Sequence, residues 1–243
     1  MRRLIPAAIL MLITGPARAI DHPCAIGVER TGELASVGRG DTFQLLGSSQ
    51  KYALADIVAA EIGESPEIPG GPLRLYVADS QGDLYGRLSA HLFHRGQWVQ
   101  GKLLKQGRAL AYAMGDSSAC RKALLDAETQ NTERRSNYWQ VKGVEFRAAD
   151  LDLLSEKLGH FVLVTGRVLS VGDRERRLYL NFGENWAHDF TVSVAKQGAG
   201  KFKGNLSSLT NLKGRKVQVR GVLEYNRGPL IRVVDEIQIK VVK

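Results

Sequence analysis

The chain has 243 residues, of which 44% are hydrophobic and 24% are charged. This balance is typical of a globular protein and excludes a wholly disordered chain, and the length allows one large or two small domains. Lysine and arginine number 34 against 25 acidic residues, which gives a formal net charge of +9. Such an excess favours polyanionic partners such as nucleic acid or an anionic envelope surface, or simply serves solubility.

Residues 1–19 have the pattern of an export signal. Arg2 and Arg3 precede an apolar segment over residues 4–14, and Ala17-Arg18-Ala19 fits a cleavage site. The apolar segment is too short to cross a bilayer as a helix, although an uncleaved anchor is an alternative. We expect a signal peptide over 1–19 and a mature chain without a transmembrane segment, located in the periplasm or secreted.

The first part of the mature chain predicts short strands separated by turns. Residues 62–72 contain three glycines and three prolines and therefore predict a loop. From the alternation of apolar residues and the turn signals between them, we expect strands over residues 42–46, 52–58, 73–77, 87–93 and 109–113. His91 and His94 lie three residues apart on one predicted strand and face opposite sides, so a shared metal ion is not expected.

Two helices follow or interrupt these strands. Residues 98–106 predict a short helix that ends at Gly107. A longer helix, capped by Asp116, Ser117 or Ser118 and running toward residues 138–139, is predicted from the i, i+3, i+4, i+7 series of Cys120, Ala123, Leu124 and Ala127.

Cys24 and Cys120 are the two cysteines of the chain. An oxidising compartment permits a disulfide between them, and Cys120 lies on the apolar face of the longer helix. We predict the disulfide Cys24–Cys120, with two free buried thiols as the alternative. Two cysteines alone are too few for a structural zinc site.

The charge and the element pattern both divide the chain into two modules. Residues 20–160 carry 16 basic and 18 acidic residues, a net of −2, whereas residues 161–243 carry 15 and 7, a net of +8. Residues 142–160 predict a helical linker with an apolar stripe of leucines. Five β runs with glycine turns fill residues 161–243 and predict a small closed barrel such as an OB-fold.

The first module, residues 20–141, is similar to a known family. Residues 83–112 (DLYGRLSAHLFHRGQWVQGKLLKQGRALAY) and the turn Gly40-Asp41-Thr42 resemble the thermonuclease (staphylococcal-nuclease-like) family, and the resemblance extends over residues 26–140. It implies a mainly β fold with helices, namely a staphylococcal-nuclease-like OB barrel with two helices. The second module resembles the small OB-like domain attached to some exported proteins of this kind.

The resemblance implies calcium-assisted hydrolysis of phosphodiesters, with Ca²⁺ as cofactor if the protein is active. Asp41 matches a calcium ligand, Glu61 matches the glutamate that activates water, and Arg87 matches an arginine that neutralises the phosphate. Two further positions depart from the family pattern. Ala53 stands where the family has its other arginine, and Val58 stands where it has its second calcium aspartate.

Asp56 is a possible substitute ligand for the missing aspartate, and Lys51 for the missing arginine. Each lies two residues before the position it would replace, so period-two alternation puts it on the same strand face. The displacement along the strand is about 6–7 Å, which is too far for unaltered geometry. Removal of a phosphate-neutralising arginine commonly lowers the rate by about 10³–10⁵.

The second module offers a candidate surface for nucleic acid, because OB-folds bind single strands with aromatic side chains on a basic face. The candidate residues are Trp186, Arg176, Arg177, Lys216, Arg220, Tyr225 and Arg227. Tyr179 and Phe182 are also candidates, and the alternative for both is packing in the core.

Three functions are consistent with these observations. The leading hypothesis is an exported thermonuclease-like protein with an eroded site, which binds nucleic acid or another polyanion with weak or no cleavage. The alternative is an active Ca²⁺-dependent nuclease with a rearranged site. The third is an envelope interaction module that uses the barrels as a scaffold.

Overall fold

The computed structural model describes residues 19–38, 41–59, 68–77, 81–112, 115, 117–130, 143–185, 187–197 and 202–242. These residues form a mainly β protein with four α-helices among the described residues. The apolar side chains pack into two large clusters, one built from residues 24–127 and one from residues 148–233, and a small third cluster lies between them. The fold therefore has two core-forming units.

The first unit is a five-stranded closed barrel with two helices. Its elements are β1 (Val28–Val37), β2 (Thr42–Leu45), β3 (Lys51–Leu54), β4 (Ile57–Ala59), β5 (Pro72–Val77), β6 (Leu88–His94), β7 (Gln97–Trp98), α1 (Val99–Lys105), β8 (Ala109–Ala111) and α2 (Ser118–Thr129). Hydrogen bonding runs β3-β2-β1-β5-β6, and β6 pairs in parallel with β3 to close the ring. This arrangement is consistent with an OB-like barrel.

Alternation along the strands fills this barrel. In β5, Leu73, Leu75 and Val77 point into the core and are at most 3% exposed, and Phe43 of β2 stacks on Tyr52 of β3 with their ring centroids 5.5 Å apart. Both predicted helices are confirmed. Gly107, with φ at 68°, follows α1, and the side chain of Ser117 accepts a hydrogen bond from the backbone N–H of Cys120 at the start of α2.

The predicted disulfide Cys24–Cys120 is confirmed, with 4.7 Å between the Cα atoms. It ties the segment before β1 to the first turn of α2, and both cysteines are buried in the first core. The predicted approach of this helix to residues 138–139 lies outside the described residues, which end at 130 and resume at 143.

The single strand predicted over residues 52–58 is wrong. The chain turns at Ala55 and Asp56, where Asp56 has a φ of 60°, a left-handed conformation that aspartate tolerates better than branched residues do. As a result β3 stays in the barrel, whereas β4 leaves it and pairs with β8 in a separate two-stranded sheet. The turn breaks the period-two relation between Asp56 and Val58.

The second unit contains the five predicted β runs, with β10 and β11 as two pieces of the first. Its elements are β9 (Glu145–Arg147), α3 (Leu151–Ser155), β10 (Phe161–Arg167), β11 (Ser170–Asp173), β12 (Arg177–Asn181), β13 (Thr191–Ala195), α4 (Leu206–Thr210), β14 (Lys216–Asn226), β15 (Gly228–Val233), a 3₁₀ turn (Glu236–Gln238) and β16 (Ile239–Val241). The sheet order is β11-β12-β13-β15-β14-β10-β9. Only two residues separate β10 from β11, so together they act as one long strand that pairs with β14 through β10 and with β12 through β11. The strands of the second unit therefore pair in the same order as those of the first barrel.

The segment predicted as a helical linker is part of the second unit. β9 pairs in parallel with β10, and Leu154 of α3 is fully buried in the second core. The helix is also shorter than the linker predicted over residues 142–160, because residues 145–147 are held in the sheet and α3 ends at Ser155.

The two barrels share a buried contact. Leu110 and Leu163, one from each barrel, are fully buried against each other, and the rings of Tyr112 and Phe161 lie 5.1 Å apart. Beside them Nη1 of Arg220 donates to Oε2 of Glu128 at 3.0 Å and to the carbonyl of Ala111 at 2.7 Å. The placement of Arg220 on a nucleic-acid surface is therefore wrong: its side chain is buried and neutralises a carboxylate of the other barrel.

None of the helices in the described part of the chain is long and apolar enough to cross a membrane.

Candidate functional site

The first candidate site is a charged cluster at one end of the first barrel. Asp41 and Thr42 lie where the chain enters β2, and Arg87 directly precedes β6. The turn over residues 83–86, with Gly86 at a φ of 70°, brings Asp83 beside Arg87. Local turn geometry thus places an arginine between two carboxylates.

The guanidinium of Arg87 is held from two sides. Its Nε donates to Oδ2 of Asp83 at 2.8 Å, and its Nη2 lies 2.8 Å from the same oxygen. Its Nη1 donates to Oδ1 of Asp41 at 3.1 Å and to Oγ1 of Thr42 at 2.9 Å. The side chains of Arg87 and Asp41 are each 27% exposed. Asp83 also accepts hydrogen bonds from the backbone N–H groups of Tyr85 and Arg87. Asp83 therefore both shapes the turn and fixes the arginine.

The two carboxyl groups have opposite pKa shifts. Burial raises the pKa of Asp41, and the nearby charge of Arg87 only partly offsets this. Burial also acts to raise the pKa of Asp83, but hydrogen bonds from the backbone and side chain of Arg87 and from the backbone of Tyr85 outweigh it, so that pKa is lowered. As pH falls, Asp83 therefore keeps its negative charge to a lower pH than Asp41 does.

These shifts predict opposite pH dependences for two substitutions. Asp41 has a raised folded-state pKa, so the stability it contributes is present below its unfolded pKa of about 3.9 and is lost as pH rises through the folded value. Asp83 has a lowered pKa, so its contribution is present at neutral pH and is lost as pH falls. We expect Asp41→Asn to become relatively more stable than the wild type with rising pH, and Asp83→Asn relatively less stable. Thermal unfolding midpoints between about pH 3 and 7 test this, and parallel profiles would contradict it.

The groups expected around this cluster are incomplete. Ala53 is buried in β3 opposite Thr42, and Val58 lies in β4 opposite Leu110, so neither position supplies an arginine or a carboxylate. Glu61 lies outside the described residues. Calcium prefers six to eight oxygen ligands, and the described carboxylates Asp41 and Asp83 are both engaged by Arg87. The described residues therefore do not fit a calcium site.

Asp56 does not take the place of the missing aspartate. Its Oδ1 accepts a hydrogen bond from the backbone N–H of Gly115 at 2.9 Å, and its Oδ2 lies 3.3 Å from Nε2 of His91. The left-handed turn directs this carboxylate to α2 and the disulfide rather than to Arg87. Lys51 is exposed in β3 opposite Gln44.

The second candidate site is the outer face of the second barrel, formed by Arg177, Tyr179, Ser193 and Arg232. In β12 the core residues Leu178 and Leu180 alternate with Arg177 and Tyr179, which are half-buried on the opposite side. Strand register then aligns Tyr179 with Ser193, and Ser193 with Arg232. Nη1 of Arg177 donates to Oγ of Ser193 at 3.0 Å, and Nε of Arg232 donates to Oε2 of Glu224 at 2.6 Å.

Gly172 leaves the ring of Tyr179 uncovered on the β11 side. It pairs with Tyr179 across β11 and β12, and a Cβ at this position would lie 3.7 Å from Cβ and 4.0 Å from Cδ2 of the tyrosine. Tyr179 is thus a half-buried aromatic side chain on a sheet surface rather than a core residue, with Arg177 two residues before it on the same strand and Arg232 two strands away.

Two basic connections flank the outer face at opposite ends of β13. The β11–β12 connection carries the exposed Arg174 and Arg176, and β12 begins opposite Ala195 at the end of β13. The β14–β15 turn carries Arg227 and the 64% exposed Tyr225. This turn packs on the segment before β13, since a Cβ on Gly228 would lie 2.5 Å from the carbonyl oxygen of His188. Both loops of an OB barrel that commonly contact oligonucleotides are therefore basic here.

The remaining predicted residues are dispersed. Lys216 and Tyr225 lie near opposite ends of β14, about 30 Å apart along an extended strand. Phe182 packs against the second core with its ring 5.0 Å from that of Phe190. Trp186 lies outside the described residues, between Asn185 and Ala187. Arg232, which the sequence analysis missed, is on the outer face because its neighbours Ile231 and Val233 fill the core.

The molecule is thus a mainly β protein with a closed OB-like barrel, a second sheet of the same pairing order and two charged surfaces. No protein-family model matches the chain, and no curated protein sequence matches it. The resemblance to thermonucleases stays a prediction based on the motifs of the first barrel.

Proposed function

We propose that this protein binds single-stranded nucleic acid, or a polyanion of similar form, on the outer face of its second barrel, with weak or no cleavage. The observation that carries the proposal is the row Tyr179–Ser193–Arg232, in which a half-buried aromatic ring shares one sheet face with Arg177 and Arg232 and is flanked by two basic connections. An aromatic platform beside cations binds bases by stacking and phosphates by charge, without need of sequence readout.

The charge balance around the outer face supports an anionic ligand. Six cations lie on the face or its two flanking connections, which also carry the carboxylates Asp173, Glu175 and Glu224. Two of the carboxylates, Glu224 and Asp173, are paired with Arg232 and Lys196. The cations are Arg174, Arg176, Arg177, Lys196, Arg227 and Arg232.

The charged cluster of the first barrel supports the proposal that cleavage is weak or absent. Phosphoryl transfer needs fixed cations around the phosphate as negative charge develops. Arg87 is held by Asp41 and Asp83, and the buried Ala53 stands where the family has its other arginine. The described residues of this cluster carry one positive and two negative charges, so they repel rather than attract a phosphodiester.

Binding of fluorescent single-stranded DNA and RNA, measured by anisotropy at several salt concentrations, tests the proposal. We expect the affinity to fall as salt rises, as it does when phosphates are neutralised by arginine. Tyr179→Ala is expected to weaken binding by about 1–3 kcal/mol, or about 5- to 150-fold, through loss of stacking. Arg176→Ala is expected to lower the slope of log K against log salt by about 1.

Tyr85→Ala is the matched control, because Tyr85 is an exposed tyrosine, 81% accessible, beside Arg87 of the first barrel. It should leave binding unchanged. Equal weakening by Tyr85→Ala and Tyr179→Ala, or binding that does not depend on salt, would reject the outer face as the site.

The nuclease alternative is tested in the same samples, with Ca²⁺ and with chelator. It is favoured by the proximity of Asp41 and Arg87, which the resemblance assigns to one site. Ca²⁺-dependent cleavage that is lost in Arg87→Ala and in Glu61→Ala would overturn the proposal of weak or no cleavage. If neither binding nor cleavage is found, the role of an envelope interaction module remains.

A further inference from the structure

A buried cluster of metal-ligand types surrounds the disulfide, away from both charged surfaces. The sulfur atoms of Cys24 and Cys120 and a ring nitrogen of His91 lie within 4.8 Å of one another, and all three residues are buried. Nε2 of His91 is 3.4 Å from Sγ of Cys120 and 3.3 Å from Oδ2 of Asp56. Three residues distant in sequence thus direct two sulfurs and a nitrogen at one point, and the carboxylate of Asp56 approaches the nitrogen from outside this group.

These distances match the edges of a zinc tetrahedron. With Zn–S near 2.3 Å and Zn–N and Zn–O near 2.1 Å, ligand nitrogen and sulfur atoms lie about 3.5 Å apart, and nitrogen and oxygen about 3.4 Å apart. Both contacts of Nε2 are close to these values, and the contact with Oδ2 of Asp56 is longer than a good N–H···O hydrogen bond. To complete the tetrahedron, the sulfurs would have to separate to about 3.8 Å, and the carboxylate oxygen of Asp56 would have to move closer to them. Rotation about the Cα–Cβ bonds permits this, because the two Cα atoms are 4.7 Å apart.

The surroundings hold the oxygen and nitrogen ligands in place. The backbone N–H of Gly115 donates to Oδ1 of Asp56 at 2.9 Å, which leaves Oδ2 directed at His91. A Cβ on Gly115 would lie 2.9 Å from that oxygen, so glycine permits the close approach. The ring of His91 lies 5.9 Å from that of Trp98, and His91 is only 4% exposed. A buried ligand set with an oriented carboxylate is the arrangement that metal sites use.

We propose that reduction of the disulfide converts this cluster into a zinc site with Cys24, Cys120, His91 and Asp56 as ligands. A dithiol supplies two electrons and two protons, breaks the S–S bond and leaves as its own disulfide. Zn²⁺ then displaces the two thiol protons to solvent and binds both thiolates, Nε2 and the carboxylate. Thiolate and imidazole ligands suit Zn²⁺ among the common divalent ions. The oxidised protein, with both sulfurs bonded to each other, has no such site.

The reductant can reach the disulfide through the segment before β1. Cys24 is buried, but Asp21 and Pro23 of the same segment are exposed. The segment is held by His22, whose ring lies 4.6 Å from that of Trp98 and whose Nδ1 accepts from the N–H of Cys24 at 3.1 Å. Displacement of a few residues therefore exposes the bond without opening the barrel.

The test compares oxidised and dithiol-reduced protein under anaerobic conditions after the reductant is removed. Each form is incubated with Zn²⁺, separated from free metal and analysed for zinc content. We expect about one zinc per reduced chain and none on the oxidised chain. Co²⁺ as a probe should give thiolate-to-metal charge-transfer absorption in the reduced form alone. Fewer than about 0.2 zinc per reduced chain would overturn the proposal.

Substitutions of the proposed ligands test which residues bind the zinc ion. Asp56→Asn is expected to weaken zinc binding by about 10- to 100-fold, and His91→Gln by more than that. His94→Gln, three residues along the same strand, is the matched control and should bind as the wild type does. Wild-type affinity in His91→Gln would overturn the assignment. If a variant fails to fold, the alkylation rate of the reduced wild-type thiols decides: we expect Zn²⁺ to slow it at least about 10-fold, and an unchanged rate contradicts the site.

Discussion

Replacement of Glu128 by glutamine is expected to lower the free energy of unfolding by about 3–5 kcal/mol. The side chains of Glu128 and Arg220 are 2% and 6% exposed, and their 3.0 Å contact lies between the two barrels. The variant leaves the guanidinium of Arg220 buried without its counter-charge. The free energy that this charge loses on leaving water is then larger than the free energy its remaining hydrogen bonds supply. Chemical denaturation followed by circular dichroism measures the change.

Two variants control this prediction. Lys122→Ala removes an ion pair with Asp126 on the same helix, but these side chains are 76% and 57% exposed, so we expect a loss below about 0.5 kcal/mol. The double variant Glu128→Met with Arg220→Met removes both charges and should recover most of the stability, because apolar pairs often replace buried ion pairs without loss. A loss below about 1 kcal/mol for Glu128→Gln would show that the contact is hydrated in solution.

Removal of the disulfide is expected to have a comparable effect. Cys24 and Cys120 are separated by 96 positions, and closure of a loop of that length reduces the entropy of the unfolded chain enough to stabilise the fold by about 2–5 kcal/mol. We expect the double variant Cys24→Ser with Cys120→Ser to lose this amount in denaturant unfolding.

Reduced wild-type protein provides the comparison for this variant. Without added metal, it should unfold at the same denaturant concentration as the double serine variant, since both lack the cross-link. A double variant that stays within about 1 kcal/mol of oxidised wild type would show that the unfolded chain is already compact around these residues.

The sequence predicted the elements whose signals are local. β5 and β6 follow from alternation, and α1 and α2 follow from helical spacing with Gly107 and Ser117 at their ends. The disulfide followed from the cysteine count and the face of α2. In each case the deciding residues lie within a few positions of one another, or the chain offers a single pairing.

The sequence failed where a distant partner or a single backbone angle decides the outcome. Arg220 alternates with apolar neighbours in β14 and was predicted to be exposed, but its partner Glu128 lies 92 positions away. Asp56 was predicted to continue a strand, and one left-handed residue redirects it to His91. Tyr179 could have been placed correctly, because the alternation of Leu178 and Leu180 already assigns it to the outer face.

The buried contact between the barrels has a consequence for how the chain can be divided. A fragment that ends before residue 143 would expose Leu110 and Tyr112 to water and would leave Glu128 without Arg220. A fragment that begins after it would expose Leu163 and present Arg220 on an apolar patch. Each half alone would therefore expose an apolar patch that contains an unpaired charge. We expect limited proteolysis to release no stable single barrel. The two barrels therefore form a single structural unit, and expressing the halves separately is unsuitable for studying either charged surface.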